Sequence, residues 1–355
     1  MTPLPLTAFA IVLATGFIAF LGMRLALVTA LMTERRQWTA VPAARAGLAL
    51  VPLWPWLVAT AMLLATDGGH HVAPLLISGM TVECALLLLG NMLRRDGRSA
   101  VAALDDPGRL RGLTAALMAM LITALLAAMV AAQPAIGAGA VGQLAAMGPG
   151  LILLIAALLV LIRMDRAAAL DGDDALGLPR SPWYAGAVTR DLALEQSSRA
   201  LILRGVFSAL ALAVWVPLLI LMALGWADGT GVPGPRAMPV FLALVLSLPQ
   251  IMATRRLGRG GDGEAALIRP LAGMMLMVAV LGLASLIAPL GVGIAPLHQP
   301  GAGQLSAMAA SLGVVLGLIA LAVLDGGWRP GHLVAVESWA GWGALLALTA
   351  MVLLS

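Results

Sequence analysis

The chain has 355 residues, of which 61% are hydrophobic and 11% are charged. A mean hydropathy of +1.00 excludes an ordinary soluble domain, and the many long apolar runs predict an all-α polytopic membrane protein. All 21 basic residues are Arg, an excess that marks cytoplasmic loops rather than nucleic-acid binding in such a protein, and the single cysteine, Cys84, excludes a disulfide framework.

Ten segments are apolar over about 20 residues, the length that crosses ~30 Å of hydrocarbon. They lie near 3–32, 46–66, 72–93, 113–132, 143–162, 201–225, 237–254, 270–290, 305–324 and 335–354. Nineteen of the 21 arginines fall in the odd-numbered connectors between these segments, when Arg204, in the first turn of the sixth segment, is counted with the fifth connector. The positive-inside rule therefore places the odd connectors in the cytoplasm and both termini on the external, periplasmic side. We treat residues 1–355 as one membrane domain of the bacterial inner membrane.

Two charged residues lie well inside predicted spans. Arg24 is about two turns before the end of the first span, where it either extends to the interface or pairs with a buried acid. Glu83 is mid-span in "LLISGMTVECALLLLG". A carboxyl group there is costly and usually faces a protein interior or a wet cavity, so we predict that Glu83 relays protons. The alternative is a protonated glutamic acid that hydrogen-bonds a neighbouring helix.

Three further features receive structural interpretations. His70-His71 lies in an external connector, where two neighbouring histidines without other ligands make a weak case for a metal site. Pro249 in "LSLPQIM" predicts a kink in the seventh span, with a transport hinge as the alternative. The absence of phosphate-binding, dinucleotide-binding and cysteine-cluster motifs predicts that this chain binds no redox cofactor itself.

The segment 163–204 concentrates six arginines and six acids between two apolar runs. Clustered carboxyl groups beside a low-dielectric bilayer share protons and can take them up near neutral pH. The residues alone leave two interpretations open: a large cytoplasmic loop that docks a partner and couples to it, and a solvated, charge-balanced loop. The candidate coupling acids are Asp165, Asp171, Asp191 and Glu195, and Asp191, Glu195 and Arg199 share one face if the segment is helical.

Short motifs carry a resemblance to a known family. "LMTERRQWTAVPAARAG" (31–47) resembles the "ERR…R-x-G" end of the first helix in the complex I membrane subunit beneath the quinone chamber, and in the related subunits of formate hydrogenlyase and membrane-bound hydrogenases. "TRDLALEQSSRALILRG" (189–205) is similar to that family's "E-x-x-LEYSGR" segment, with Ser197 on the serine position. "IRMDRAAALD" matches "AETxRxPxD" in part.

This resemblance implies an ion-translocating anchor subunit that couples electron transfer in peripheral subunits to proton movement. It implies hydrogenase-like or complex I-like partners on the cytoplasmic face, antiporter-like membrane partners, and NiFe or iron–sulfur centres in those partners, with quinone binding left open. Since the family has eight spans, the two within 237–290 are interpreted as an insertion. The residues assigned to docking or charge compensation are Arg24, Glu34, Arg35, Arg36, Arg45, Arg166, Arg180, Arg199 and Arg204.

Two other functions remain compatible with the sequence. One is a stand-alone secondary transporter of a small solute, and the other is a structural anchor that does not conduct ions. Transporters usually place a discontinuous helix pair and polar groups at the membrane midplane. In this sequence the charged residues gather on the predicted cytoplasmic side, which favours the subunit hypothesis.

Overall fold

A computed structural model describes residues 4–34, 51–90, 147–148, 150–159, 197–230, 238–259 and 263–287. Within these ranges the chain is helical throughout, apart from short turns and caps. The helices are α1 (Leu4–Glu34), α2 (Trp54–Ala65), α3 (Val72–Gly90), α4 (Gly150–Leu159), α5 (Ser198–Thr230), α6 (Met238–Arg259) and α7 (Gly263–Ile287). Two 3₁₀ turns, Val51–Leu53 and Asp67–His71, precede and follow α2. The predicted spans near 113–132, 305–324 and 335–354 lie outside the described residues.

The ends of α2 and α5 follow from local chemistry. Pro55 lies in the first turn of α2, where a missing N–H removes no helical hydrogen bond. At the other end, the backbone N–H and the hydroxyl of Thr66 both donate to the Met62 carbonyl, at 3.1 and 3.0 Å. Helix α5 begins after Ser197, whose side-chain oxygen accepts a hydrogen bond from the Ala200 N–H at 3.3 Å.

Helices α1 and α5 form a long outer pair. They pack along each other, and Phe17 of α1 stacks on Trp215 of α5 with ring centroids 4.7 Å apart. Their outer sides expose large apolar residues, among them Phe9, Phe20, Leu203, Phe207 and Leu210. Segments Leu6–Thr29 and Ser198–Ala227 are long and apolar enough to cross a bilayer. Apolar outer faces on helices of this length suit contact with lipid.

Helices α3, α6 and α7 form an inner group, which α1 contacts through α6. Helix α3 packs against α6 and α7, and α6 packs against α7. Residues of α3, such as Leu75, Leu76 and Ile77, are fully buried there. The span predicted near 143–162 contains α4, which crosses α7 at Gly150 and Gly282 with backbone against backbone. The described part of the chain is all-helical, as the sequence predicted.

Two shorter helices follow each long helix in chain order. The long helix α1 precedes α2 and α3, and the long helix α5 precedes α6 and α7. Helix α1 packs against α6, and helix α5 packs against α2. A short sequence match accompanies this arrangement: "PWLVAT" (55–60) in α2 and "PQIMAT" (249–254) in α6. The residues after the two prolines are Trp56, in the first turn of α2, and Gln250, within α6.

Candidate functional site

Several hydroxyl groups inside the helices are satisfied by their own helix. Thr15, Thr29, Ser208 and Ser285 each donate to the carbonyl oxygen four residues earlier, at 2.8 to 2.9 Å. This local bond lets a hydroxyl lie in an apolar environment without a partner on another helix. It provides the standard against which other buried polar groups can be compared.

Three buried side-chain oxygens depart from that standard. Thr60 Oγ1, Ser247 Oγ and Gln250 Oε1 have no hydrogen-bond partner in the described structure. Their residues are only 5%, 0% and 7% exposed. A buried polar atom without a partner costs about 1–3 kcal/mol of stability. Such an atom needs an explanation, and a bound ligand that supplies the missing partner is one.

Two of these oxygens lie on one face of α6, because Ser247 and Gln250 are three residues apart. Pro249 lies between them and has no N–H, so it cannot donate the usual helical hydrogen bond to the Val245 carbonyl. Pro249 also packs closely on α1, since a Cβ at Gly22 would lie 2.5 Å from its Cγ. The sequence "SLPQ" therefore places two unpaired side-chain oxygens and an acceptor carbonyl within about one turn of a buried helix.

The start of α2 is packed by aromatic side chains. Trp56 is 1% exposed, and its ring lies against Gly79 of α3, where any Cβ would overlap the ring. Met277 of α7 closes the same contact, with its Sδ 2.9 Å from that Cβ position. Two residues before Trp56, the Trp54 indole N–H donates to the Ala209 carbonyl of α5 at 2.8 Å. Aromatic packing therefore fills this side, and Thr60 follows one turn later.

The structure places the sequence-predicted residues in three groups. Arg24 is half-buried in α1, and Arg199 and Arg204 are exposed in the first two turns of α5. The backbone of Glu34 ends α1, and the backbone of Glu83 lies one turn after Gly79 in α3. The side chains of those two acids are outside the described part. The residues that lie wholly outside it are Arg35, Arg36, Arg45, Asp165, Arg166, Asp171, Arg180, Asp191 and Glu195.

Ser197 has a local structural role. It precedes the first helical residue of α5 and caps that helix. A serine followed by an arginine is what many helix starts near a cytoplasmic interface contain. The match of Ser197 and Arg199 to a family motif is therefore explained by capping and by charge.

The histidine pair lies in the turn between α2 and α3. The His70 and His71 ring centroids are 3.8 Å apart, and His71 is buried while His70 is exposed. Burial, with a smaller contribution from the neighbouring charge of His70, lowers the pKa of His71 to about 4. His71 is therefore neutral at physiological pH. Among the described residues, no group of three or more His, Cys, Asp or Glu side chains could hold a metal ion.

Sequence reasoning did not identify Trp56, Thr60, Ser247 or Gln250 as a set. Uncharged residues in apolar runs stand out less than Glu83 or the loop acids. The signal that could have found two of them is Pro249, because a proline inside an apolar run marks an interrupted helix beside Ser247 and Gln250.

Comparison with other proteins places the fold. No protein-family model matches the chain, and no curated protein matches it significantly. Among solved structures, the H⁺/Ca²⁺ exchanger CAX matches with a TM-score of 0.66 at 12% identity, over 98% of this chain and 86% of that one. Native YfkE matches with 0.60 at 11% identity, over 100% and 94%. The sodium–calcium exchanger NCX_Mj matches with 0.58 at 13% identity, over 99% of both chains.

The chain therefore is a membrane protein with the fold of these exchangers. The predicted membership of the complex I and hydrogenase membrane-subunit family is wrong, and so are the oxidoreductase-coupled function and the hydrogenase-like and antiporter-like partners inferred from it. The physical reason is that acids, arginines and serines at helix ends serve topology and capping in any polytopic helical protein. With that family set aside, the reason for treating 237–290 as an insertion disappears, and α6 and α7 pack centrally on α3.

Proposed function

We propose that the chain is a stand-alone secondary transporter that moves a small inorganic ion across the bacterial inner membrane. The observation that carries this proposal is the pair of unpaired, buried oxygens of Ser247 and Gln250 beside the proline interruption of α6. Secondary transporters bind their substrates where two structural repeats meet, at interrupted helices. Two of the structural neighbours are named as ion exchangers.

The mechanism follows from the packing. An ion that leaves water needs oxygen atoms to replace its hydration shell, and the oxygens of Ser247 and Gln250 are available because no donor in the described part of the chain occupies them. Helix α1 of the outer pair contacts α6 next to these residues, where Gly22 meets Pro249, and α5 contacts α2. A small displacement of the outer pair relative to the inner helices would open one side of the ion position and close the other. Alternating access of this kind needs no partner subunit.

The proposed topology has ten spans with both termini on the external side. It is supported by the distribution of arginines and by seven helices that coincide with seven of the ten predicted segments. Glu83 remains a candidate for the proton-carrying group of this transporter, because its backbone lies in the helix between α6 and α7.

A flux measurement tests the proposal. The purified full chain is reconstituted into liposomes, and ion movement is followed with Na⁺, K⁺, Ca²⁺ or a pH gradient as the driving force. We expect the wild-type protein to drive ion movement that protein-free liposomes lack. Ser247→Ala should reduce this flux at least tenfold, because it removes a ligand, whereas Ser285→Ala should retain it. Absence of wild-type flux under every gradient would contradict the assignment as a transporter.

A further inference from the structure

Helix α1 lies directly against the proline interruption of α6. Gly22 is buried at this contact, and a Cβ added to it would lie 2.5 Å from Pro249 Cγ and 2.9 Å from Pro249 Cβ. Carbon atoms in contact are normally about 3.5–4.0 Å apart. Only a residue without a side chain therefore lets the α1 backbone approach the proline ring this closely.

The ring of Pro249 cannot rotate away from α1 as a longer side chain could. It is closed onto the backbone nitrogen, so a displacement of the ring also displaces the α6 backbone. That backbone lacks the helical hydrogen bond to the Val245 carbonyl, so its own helix constrains it less here. Ser247 and Gln250, with their unpaired buried oxygens, flank the ring in sequence. The contact with Gly22 therefore helps to fix where these oxygens lie.

Helix α1 also links this contact to the outer pair. Its Phe17 stacks on Trp215 of α5, with ring centroids 4.7 Å apart. Ile18 and Leu25 share a helix face with Gly22, and both are buried. One side of α1 thus contacts α5 while the side with Gly22 contacts α6. A displacement of the outer pair would reach the proposed ion position at Gly22.

We infer that Gly22 is a positioning residue for transport. By accommodating the Pro249 ring, it holds the oxygens of Ser247 and Gln250 in the geometry that binds the ion, and it transmits movement of α1 to them. Gly22 acts through Pro249 and supplies no ligand itself. This inference rests on the proposed function, because it concerns the same ion position.

Flux kinetics of Gly22→Ala in liposomes test this role. The half-saturating concentration of the ion that the wild-type protein moves (Na⁺, K⁺, Ca²⁺ or H⁺) is measured, with the maximal flux per mole of folded protein. The added methyl group forces α1 and Pro249 apart by about 1 Å. Because ligand atoms misplaced by that distance bind poorly, we expect the half-saturating concentration to rise about tenfold or more. An unchanged value in folded Gly22→Ala would overturn the inference.

Two other glycines provide matched controls. Gly282→Ala creates an equally short contact, 2.6 Å from the Gly150 carbonyl oxygen, but against α4. It should lower Tm and leave the half-saturating concentration unchanged. Gly16→Ala lies in the same helix as Gly22 and meets nothing within 4 Å, so it should change neither quantity. A rise in Gly282→Ala as large as that in Gly22→Ala would reduce both to packing effects and would refute the positioning role.

A double substitution tests whether Gly22 acts through Pro249, including the case in which Gly22→Ala does not fold. Pro249→Ala removes the Cγ atom that the new methyl group would meet first. In that background Gly22→Ala should lower Tm much less than it does alone, and should change the half-saturating concentration by less than about threefold. An equal loss of Tm in both backgrounds, or a double variant that fails to fold when Pro249→Ala folds, would assign the effect to another neighbour and refute the inference.

The outcomes separate the inference from the proposed function. Wild-type flux together with an unchanged half-saturating concentration in Gly22→Ala refutes the positioning role and leaves the transporter assignment intact. Absence of wild-type flux under every gradient refutes the transporter assignment, and the positioning role with it.

Discussion

Trp56 and Gln250 show that two buried residues can have opposite effects on stability. Both follow a helix proline, and both are buried. Trp56 achieves burial by filling the space over Gly79, which gains apolar contact. Gln250 achieves burial with its carbonyl oxygen unpaired, which is unfavourable unless something binds there. The contrast between a satisfied and an unsatisfied residue is the clearest indication of where a ligand belongs.

The lowered pKa of His71 predicts that folding stability decreases in acid. Its pKa is about 4 in the folded protein against an ordinary value of 6.5, so the unfolded chain binds a proton that the folded chain rejects between these values. Folding stability should therefore be unaffected by His71 above pH 6.5. It should fall as the pH drops from 6.5 to about 4, by up to about 1.4 kcal/mol per pH unit. Thermal unfolding of the wild-type protein from pH 7.5 to 4.5 measures this slope.

The control for this prediction is a pair of substitutions. His71→Gln should flatten the profile relative to the wild-type protein, because no proton is taken up at residue 71 on unfolding. His70→Gln should keep most of the slope, since burial is the larger cause of the lowered pKa of His71 and the charge of His70 the smaller one. An unchanged slope in His71→Gln would assign the acid sensitivity to other groups.

At the scale of the helices, the crossing of α4 and α7 depends on glycine. A Cβ at Gly282 would lie 2.6 Å from the Gly150 carbonyl oxygen and 2.8 Å from the Leu154 nitrogen. Both are backbone atoms, so neither can rotate away as a side chain could. Gly282→Ala should therefore force the helices apart and destabilise the protein by about 1–3 kcal/mol, measured as a lower Tm.

An exposed glycine provides the matched comparison. A Cβ at Gly225 in α5 would meet nothing within 4 Å, and the position is exposed. Gly225→Ala should leave Tm unchanged or raise it, because alanine is favoured over glycine in helices by up to about 1 kcal/mol. Equal Tm values for Gly282→Ala and Gly225→Ala would mean that the close crossing at Gly150 does not constrain the bundle.

At the scale of the whole molecule, the proposed topology predicts on which side of the membrane each connector lies. Reporter fusions after Arg98 and after Arg256 should give a cytoplasmic signal, and a fusion after Gly139 should give an external one. The physical reason is that 19 of the 21 arginines lie in the odd connectors. An external signal at either arginine-rich connector would overturn the model with both termini outside.

Under the proposed function, the whole molecule needs no partner subunit. Its outer helices α1 and α5 bury their inner sides on α6 and α2, and their exposed sides are apolar along membrane-crossing lengths. Lipid satisfies such surfaces without another subunit. The acidic and basic residues of 163–204 then need no redox module to explain them, because arginines hold a cytoplasmic connector in place by charge.

Composition and the spacing of apolar runs predicted the all-helical class and the approximate positions of the helices in the described part of the chain. Apolar runs of about 20 residues can satisfy their backbone groups in lipid only as helices, so the runs near 3–32, 72–93 and 201–225 predicted α1, α3 and α5 closely. Pro249 was also visible as an interruption, because a proline acts on its own helix. These properties are local, which is why composition and spacing suffice to predict them.

The fold and the candidate site could not be predicted from the sequence. In a membrane both the lipid-facing and the interior side of a helix are apolar, so hydrophobic periodicity does not show which side is buried. That Trp56 meets Gly79, that Pro249 meets Gly22, and that Ser247 and Gln250 remain unpaired follow from contacts between segments distant in sequence. The charged motifs that suggested another family lie at helix ends and in connectors, where topology alone selects arginine and helix capping selects serine.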